Sequence, residues 1–296
     1  MIKSLIATLA ALTVVSAYAT TPVITDSFTT YSPGAITTGS SPAVWATPGV
    51  GAGTVDNGTD LTSRITTDSG NLFGKGTSNQ YLKLSDTSNA NTADNLNLGV
   101  NPVTIGEIGT VSFDFYSPTT AGSQGEGFLF RIGTLVGNGA TTFGLFINNG
   151  QLRAATTSSV TPAASSFATY ALDTMQSLTI VFNSSASTLN YASRSLAAGK
   201  MDVYLNGTIV GTALDGAGGF AGLQKTNAAV GFTRKTNGNT ASDFVGTLNI
   251  DNLNVYSGVE LSAIPEPATA AVFGGVAVLL TAMMVRRRPA SVKASQ

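Results

Sequence analysis

The stretch Thr110-Val-Ser-Phe-Asp-Phe-Tyr116 alternates apolar with polar residues along its whole length. Val111, Phe113 and Phe115 fall on one face of an extended chain, and Asp114 and Tyr116 fall on the other face. This alternation predicts a half-buried β-strand. The same pattern recurs at 128–132, 143–147, 178–182 and 201–205, and no long stretch shows a sustained helical period. The sequence therefore predicts an all-β body.

Two turns and one phase change predict how these strands connect. Asn149-Gly150 and Asn206-Gly207 each lie between alternating runs, and both residue types tolerate the positive φ of a tight hairpin turn. The first turn places Phe146 opposite Arg153. In the last strand, 245–256, the apolar phase shifts by one residue near Asp251-Asn252, which predicts a β-bulge.

The order of these strands resembles the concanavalin A-like, laminin-G-like jelly roll. The matching segments are 110–116, 127–133, 143–150, 178–183, 202–207 and 249–256, and the likeness covers about Ser27 to Gly258. The resemblance implies two packed antiparallel sheets, one of them concave, in a family whose roles range from sugar binding to glycan cleavage. The fold by itself does not choose among these roles.

The two ends of the chain carry export signals. Residues 1–19 combine Lys3, an apolar run and the cleavage pattern Ala17-Tyr18-Ala19, and so predict a secretory signal peptide that is cleaved after Ala19. At the other end, eighteen uncharged residues, 268–285, are long enough to approach a membrane span, for which roughly 20 residues are needed. The exported body is then 20–263.

The C-terminal segment 264–288 resembles the PEP-CTERM sorting domain of Gram-negative bacteria, with a tail, 289–296, that remains cytoplasmic. The residues that match are the Pro-Glu-Pro motif and the arginine cluster, namely Pro265, Glu266, Pro267, Arg286, Arg287 and Arg288. The resemblance implies export through the Sec translocon, transient anchoring by 268–285 and cleavage near the motif by an exosortase. The expected destination is the cell surface or extracellular matrix. A plain C-terminal anchor is the alternative.

Composition excludes several classes of function. Ten cations and fifteen acids remain in the body when the two terminal segments are set aside, so its net charge is about −5, which argues against nucleic acid as a partner. The chain has no cysteine and no histidine, which excludes disulfides, a Ser-His-Asp triad and a histidine-based zinc site. No two acids of the body stand two residues apart, as a glycosidase pair on one strand would. We therefore expect the protein not to be an enzyme. A glycan hydrolase or lyase whose carboxylates are assembled only by the fold is an alternative.

One polar loop offers oxygen ligands for a metal ion. Its carboxylate and amide side chains are Asp86, Asn89, Asn91 and Asp94, groups of the kind that calcium binds. Their spacing matches no known calcium loop, and segments rich in Asn and Asp more often form hydrogen-bonded turns. No other cofactor is expected.

The strand alternation also predicts a candidate ligand face. Residues expected to leave the core on outward faces are Asp114, Tyr116, Arg131, Phe146 and Arg153. Aromatic rings could stack on sugars while charged groups orient hydroxyls, as in many small-ligand sites; the alternative is an ordinary solvated sheet face. The sequence thus predicts an exported, non-catalytic protein that binds or organises extracellular polysaccharide. A structural envelope or matrix protein without a ligand is the second alternative.

Overall fold

A computed structural model of the chain describes residues 20–36, 45–46, 53–54, 61–87, 95–100, 103–119, 126–135, 137–156, 160–217, 225–235 and 246–263. The predicted signal peptide and the whole sorting segment lie outside these residues. The described part is built from two large sheets, which we name sheet A and sheet B.

Sheet A contains nine described strands. They are β1 (Thr21–Asp26), β2 (Gly34–Ala35), β5 (Leu61–Thr67), β6 (Gln80–Asp86), β8 (Ile108–Tyr116), β13 (Met175–Asn183), β16 (Lys200–Leu205), β17 (Thr208–Asp215) and β19 (Gly246–Ser257). Their order across the sheet is β17-β16-β13-β8-β19-β6-β5-β2, and β1 pairs with the second half of β19. Every pairing in this sheet is antiparallel.

Sheet B contains eight described strands. They are β3 (Trp45–Ala46), β4 (Gly53–Thr54), β7 (Asn95–Val100), β9 (Gly127–Gly133), β10 (Thr141–Asn148), β11 (Gln151–Ala154), β12 (Ala168–Thr169) and β18 (Ala229–Lys235). Their order is β12-β11-β10-β9-β18-β7-β3, and the short β4 pairs with β7 in parallel. The chain thus crosses between the sheets several times, for example from β8 in sheet A to β9 in sheet B.

Three smaller elements complete the described structure. The strands β14 (Leu189–Tyr191) and β15 (Arg194–Leu196) form a separate hairpin, and two 3-10 helices span Asn138–Ala140 and Leu261–Ala263. Among the described residues, none of the helices has the length and apolar character that a membrane crossing requires.

The core lies between the inner faces of the two sheets, as the alternation predicted. Phe113 of sheet A packs on Phe130 and Phe232 of sheet B, with ring centroids 4.9 and 5.6 Å apart. Phe115, Phe128 and Phe143 are buried in the same cluster. The prediction of an antiparallel two-sheet sandwich is confirmed, because these apolar faces leave water only when the sheets stack.

The predicted turns and the bulge are also confirmed. Asn149 and Gly150 have φ of 44° and 73°, and Asn206 and Gly207 have φ of 50° and 77°, so both turns use the left-handed region. Phe146 pairs with Arg153 across the first hairpin. In β19 the register shifts between Asp251 and Asn254, and the extra residue, Asn252, has a φ of 51°.

Candidate functional site

The five residues of the predicted ligand face lie on two different surfaces. Asp114 and Tyr116 project from β8 in sheet A, whereas the other three residues, Arg131, Phe146 and Arg153, project from β9, β10 and β11 in sheet B. Because the inner faces of the two sheets pack on each other, side chains on the two outer faces point in opposite directions. The prediction that all five residues converge on one surface is wrong.

The outer face of sheet B is covered around Phe146. Phe146 is 1% exposed and packs with Leu129, Ala155, Val160 and Ala217, so its ring offers no stacking surface to a ligand. Gly144 makes room for this cluster, since a Cβ there would come 2.7 Å from the Cβ of Ala155. The expectation that Phe146 is a surface residue is therefore corrected.

The two arginines on this face differ in environment. Arg131 is 2% exposed, which corrects its expected place on a solvated face, and burial lowers the pKa of its guanidinium to about 10. It therefore stays cationic at neutral pH. Arg153 is half-buried and donates from Nε and Nη2 to Gln151 Oε1 at 3.2 and 2.6 Å.

The outer face of sheet A carries two facing carboxylates. Asp114 of β8 lies directly across from Asp251 of β19. Lys75 Nζ bridges them, at 2.9 Å from Asp251 Oδ2 and 3.5 Å from Asp114 Oδ2. Asn79 Nδ2 donates to Asp251 Oδ2 at 2.9 Å, and Asn252 Nδ2 donates to Asp114 Oδ2 at 2.7 Å.

Two local features of the chain build this cluster. The bulge residue Asn252 adopts a left-handed φ, which Asn tolerates better than most residues, and its backbone N–H donates to Asp251 Oδ1 at 2.7 Å. The loop between β5 and β6 is folded by Asp68, which accepts hydrogen bonds from the backbone N–H groups of Leu72 and Phe73. This loop brings Lys75 over the sheet.

The accessibility of the two carboxylates decides what the pair can do. The Asp251 side chain is 0% exposed and all its contacts are made within the chain, whereas Asp114 is 15% exposed and Lys75 is 34% exposed. Two catalytic carboxylates of a glycosidase must both reach the sugar. Asp251 therefore positions the cluster, and Asp114 and Lys75 are the members that a ligand can touch.

A second row of side chains lies beside the pair on the same face. Asn249 of β19 pairs with Tyr116 of β8 on one side and with Lys83 of β6 on the other. Asn249 is 4% exposed, yet its Oδ1 has no hydrogen-bond partner. We name these three residues the central row.

The tyrosine of the central row is a neutral donor at physiological pH. Burial, and then the charge of Asp173 and a hydrogen bond to it, raise the pKa of the Tyr116 hydroxyl. The Asp173 carboxylate in turn accepts from the Thr119 hydroxyl at 2.6 Å and from its backbone N–H at 2.9 Å, and these bonds lower the pKa of Asp173. Tyr116 thus lies beside Asn249 in the register, and its hydroxyl is engaged by Asp173.

The sequence did not predict Lys75, Lys83, Asn249 or Asp251 as members of a site. They come from two distant parts of the chain, 75–83 and 249–251, which the pairing of β6 with β19 and the loop before β6 bring together. The only available signal was the bulge near Asp251, since bulges often lie next to functional sites.

The proposed calcium loop is described only at its first residue. Asp86 is fully buried and forms an ion pair with Arg234, linking β6 of sheet A to β18 of sheet B. It therefore offers no open position to a metal ion, whereas the calcium-loop hypothesis expected one at this residue. Asn89, Asn91 and Asp94 lie outside the described residues, and so do Ala17, Ala19 and the sorting motif. Within the described ranges, no group of three acidic residues is arranged to hold a metal ion.

Comparison with known proteins identifies relatives of the fold. No family model and no curated protein matches the sequence. Among solved structures, an alginate lyase in complex with alginate tetrasaccharide matches with a TM-score of 0.50 and 15% identity, over 80% of this chain and 97% of the lyase. A cellulose-induced protein matches with a TM-score of 0.45 and 15% identity, over 73% of this chain and 93% of its own. A carbohydrate esterase of the Shiga toxin-encoding bacteriophage phi24B matches with a TM-score of 0.40 and 12% identity, over 73% and 90%.

The match to the alginate lyase shows a jelly-roll-like fold that this enzyme also uses. It also corrects one expectation. We expected a protein that is not an enzyme, but the lyase that matches over nearly its full length is a catalyst with this fold. The fold therefore gives no ground for excluding catalysis. The absence of two acidic residues two positions apart on one strand does not exclude it either.

Proposed function

We propose that this chain is an exported protein that binds extracellular polysaccharide through the outer face of sheet A. The observation that carries the proposal is the central row beside Asp114 and Lys75. It combines an aromatic ring, an amide and charged groups on one sheet face, as sugar sites commonly do. An alginate lyase has the same fold, which supports carbohydrate as the ligand class.

Export and sorting are part of this proposal. The signal peptide 1–19 and the PEP-CTERM-like segment 264–288 support delivery through the Sec translocon, processing by an exosortase and a place at the surface of a Gram-negative cell. The two ends of the body lie together, since β1 pairs with β19 and Thr20 Oγ1 donates to Glu260 Oε2 at 2.7 Å. The first and last described residues of the body therefore lie at the same end of the sandwich.

Intact-mass analysis of surface-extracted protein tests the processing. We expect a mature chain that begins at Thr20 and ends near Pro265 to Pro267 in a host that contains an exosortase. A mature form that retains Val285 and Arg288 would leave only the plain membrane anchor.

Binding is tested with one substitution on each outer face. Tyr116→Ala changes the face of sheet A, and Arg153→Ala is the matched control on the face of sheet B. We expect Tyr116→Ala to weaken retention in gels containing the host's own exopolysaccharide at least several-fold, and Arg153→Ala to leave it unchanged. Weakened retention of Arg153→Ala alone would place the binding face on sheet B. Unchanged retention of both folded variants would exclude both faces.

One feature favours cleavage of the same polysaccharide as a second candidate function. Asp114 Oδ2 and Lys75 Nζ lie 3.5 Å apart and both side chains reach solvent, and a carboxylate beside an ammonium can serve as base and acid. Release of new reducing ends or of unsaturated sugar from the polysaccharide, lost in Asp114→Asn, would support this candidate. Retention without product would support binding alone.

A further inference from the structure

We infer that the central row, Tyr116, Asn249 and Lys83, is a subsite for an acidic sugar residue, a uronate, of the polysaccharide. This inference rests on the proposed function and adds the substrate class and the atoms that select it.

The first argument is the amide of Asn249. Its Oδ1 has no hydrogen-bond partner although the residue is 4% exposed, and it lies on the same face of β19 as Asp251. Buried polar atoms are nearly always hydrogen-bonded, so an acceptor left without a donor requires a cause. The Oδ1 atom itself is covered in the unbound chain, so a sugar hydroxyl supplies the missing bond when the Asn249 amide turns toward the open face on binding.

The second argument is the charge of Lys83. Lys75 forms ion pairs with both carboxylates of this face, Asp114 and Asp251, so Lys83 is not needed to neutralise them. Lys83 is half-buried, and its side chain forms no ion pair or hydrogen bond in the described part of the chain. A cation held beside an amide without a counter-ion favours a ligand that carries an anion. A carboxylate forms with it the strong, charge-assisted type of hydrogen bond.

The third argument is the spacing. Tyr116, Asn249 and Lys83 lie on three neighbouring strands, β8, β19 and β6, so the row spans about 10 Å at the usual strand separation. Within this distance the row offers a ring for the apolar face of a sugar, an acceptor for a hydroxyl and a cation for a carboxylate. A uronate carries all three complementary groups on one residue, whereas a neutral sugar would leave Lys83 without a counter-ion.

The test titrates the full-length protein with two probes, alginate oligosaccharides and neutral cello-oligosaccharides, by calorimetry. The variants are Asn249→Leu, which removes the acceptor at similar volume, and Lys83→Gln, which removes the charge. Lys200→Gln is the control, since Lys200 lies on β16 of the same sheet and pairs with Asp215 away from the row.

We expect alginate oligosaccharides to bind the unchanged protein and cello-oligosaccharides to bind at least tenfold more weakly. Asn249→Leu and Lys83→Gln should each weaken alginate binding about tenfold, the effect of losing one hydrogen bond of average to high strength. Lys83→Gln should also flatten the dependence of the affinity on salt. Asn249→Leu should raise the melting temperature, because the unsatisfied acceptor is gone, and this readout shows that the variant folds. The control should bind as the unchanged protein does.

Three outcomes would overturn the inference. Alginate binding that both variants retain would remove the central row as the subsite while leaving polysaccharide binding in place. Preference for the neutral probe would refute the uronate class, again without refuting the proposed function. No binding of either probe, nor of the host's exopolysaccharide, would refute the proposed function together with the subsite.

Discussion

The outer faces of the two sheets follow the same alternating pattern but differ in how far their side chains are covered by other segments. On sheet B, Phe146 and Leu129 are buried beneath Ala155, Val160 and Ala217. On sheet A, the polar side chains that β19 contributes to the candidate site are buried, but those of Lys83, Asp114 and Tyr116 on the neighbouring strands are only half-buried, and Asp114 reaches solvent. Alternation thus predicts which side chains leave the core, but it does not predict what they meet outside it.

The face of sheet A itself has a covered half. The hairpin of β14 and β15 packs Leu189, Tyr191 and Leu196 over Val181 and Tyr204 on the strands β13 and β16. Beneath it, Asp202 Oδ2 accepts from the Tyr191 hydroxyl at 2.6 Å and from Arg194 Nε at 2.7 Å. The half at β8, β19 and β6 is polar and partly open, which is why it is the candidate site.

The largest expected effect is on the free energy of unfolding. It tests whether Phe146 lies in a second hydrophobic core on the outer face of sheet B. Phe146→Ala should lower the free energy of unfolding by about 3–5 kcal/mol, as for a Phe inside a protein. The matched control is Met175→Ala on sheet A, where Met175 is 39% exposed and the change should stay within about 0.5 kcal/mol. Urea denaturation measures both. Equal, small effects would mean that Phe146 is solvated and that the two faces do not differ.

The next effect separates the two facing carboxylates. Asp251→Ala should destabilise the protein by about 3 kcal/mol, because Asn79, Lys75 and the Asn252 N–H lose their common acceptor in a buried place. Asp114→Ala should cost only about 1 kcal/mol, since this carboxylate is partly exposed. Thermal unfolding of the two variants gives the comparison. If Asp114→Ala were the more damaging substitution, the assignment of Asp251 as the positioning residue would be reversed.

The smallest effect concerns the covered half of sheet A and depends on pH. Burial, and then the hydrogen bond to Asp202, raise the pKa of Tyr191 well above its ordinary value of about 10. The folded state therefore holds this proton where the unfolded state releases it, so the stabilisation is complete below pH 10 and falls as the pH rises above it.

Tyr191→Phe should remove part of this alkaline loss and should cost about 1–2 kcal/mol at pH 7 through the lost hydrogen bond. Stability measured from pH 7 to 11 tests it. Tyr256→Phe is the comparison: burial, and then the charge of Glu260, also raise the pKa of Tyr256, but this tyrosine is more exposed, so we expect a smaller change in slope. An unchanged alkaline slope in Tyr191→Phe would show that this hydroxyl does not contribute to it.

Much of the fold could be predicted from the pattern of residues that lie close together in the chain. The inward positions of Phe113 and Phe130, the two Asn-Gly hairpins and the bulge at Asp251 all follow from residues close together in the chain. Several strands were missed, and β5 and β7 are the longest of them. β5, Leu61–Thr67, lies in a stretch rich in Gly, Ser and Thr, and β7, Asn95–Val100, begins inside the segment 85–97 that the sequence predicts as a polar loop. Both segments pair with a neighbour, β5 with β6 and β7 with β18, and both carry a short alternation that their polar surroundings obscured, Leu61 and Ile65 in β5, and Leu96, Leu98 and Val100 in β7.

At the candidate site, the difference between what the sequence predicts and what the tertiary structure decides is larger. By itself, the sequence determined that Asp114 and Tyr116 leave the core on one face of β8, because side chains of a strand alternate. Only the tertiary structure decided that Asp251, Asn249 and Lys83 stand beside them, and that Arg131 and Phe146 lie on the far side of the sandwich beneath other segments. Strand register and sheet order join residues more than a hundred positions apart, and the alternation of a single strand carries no information about either.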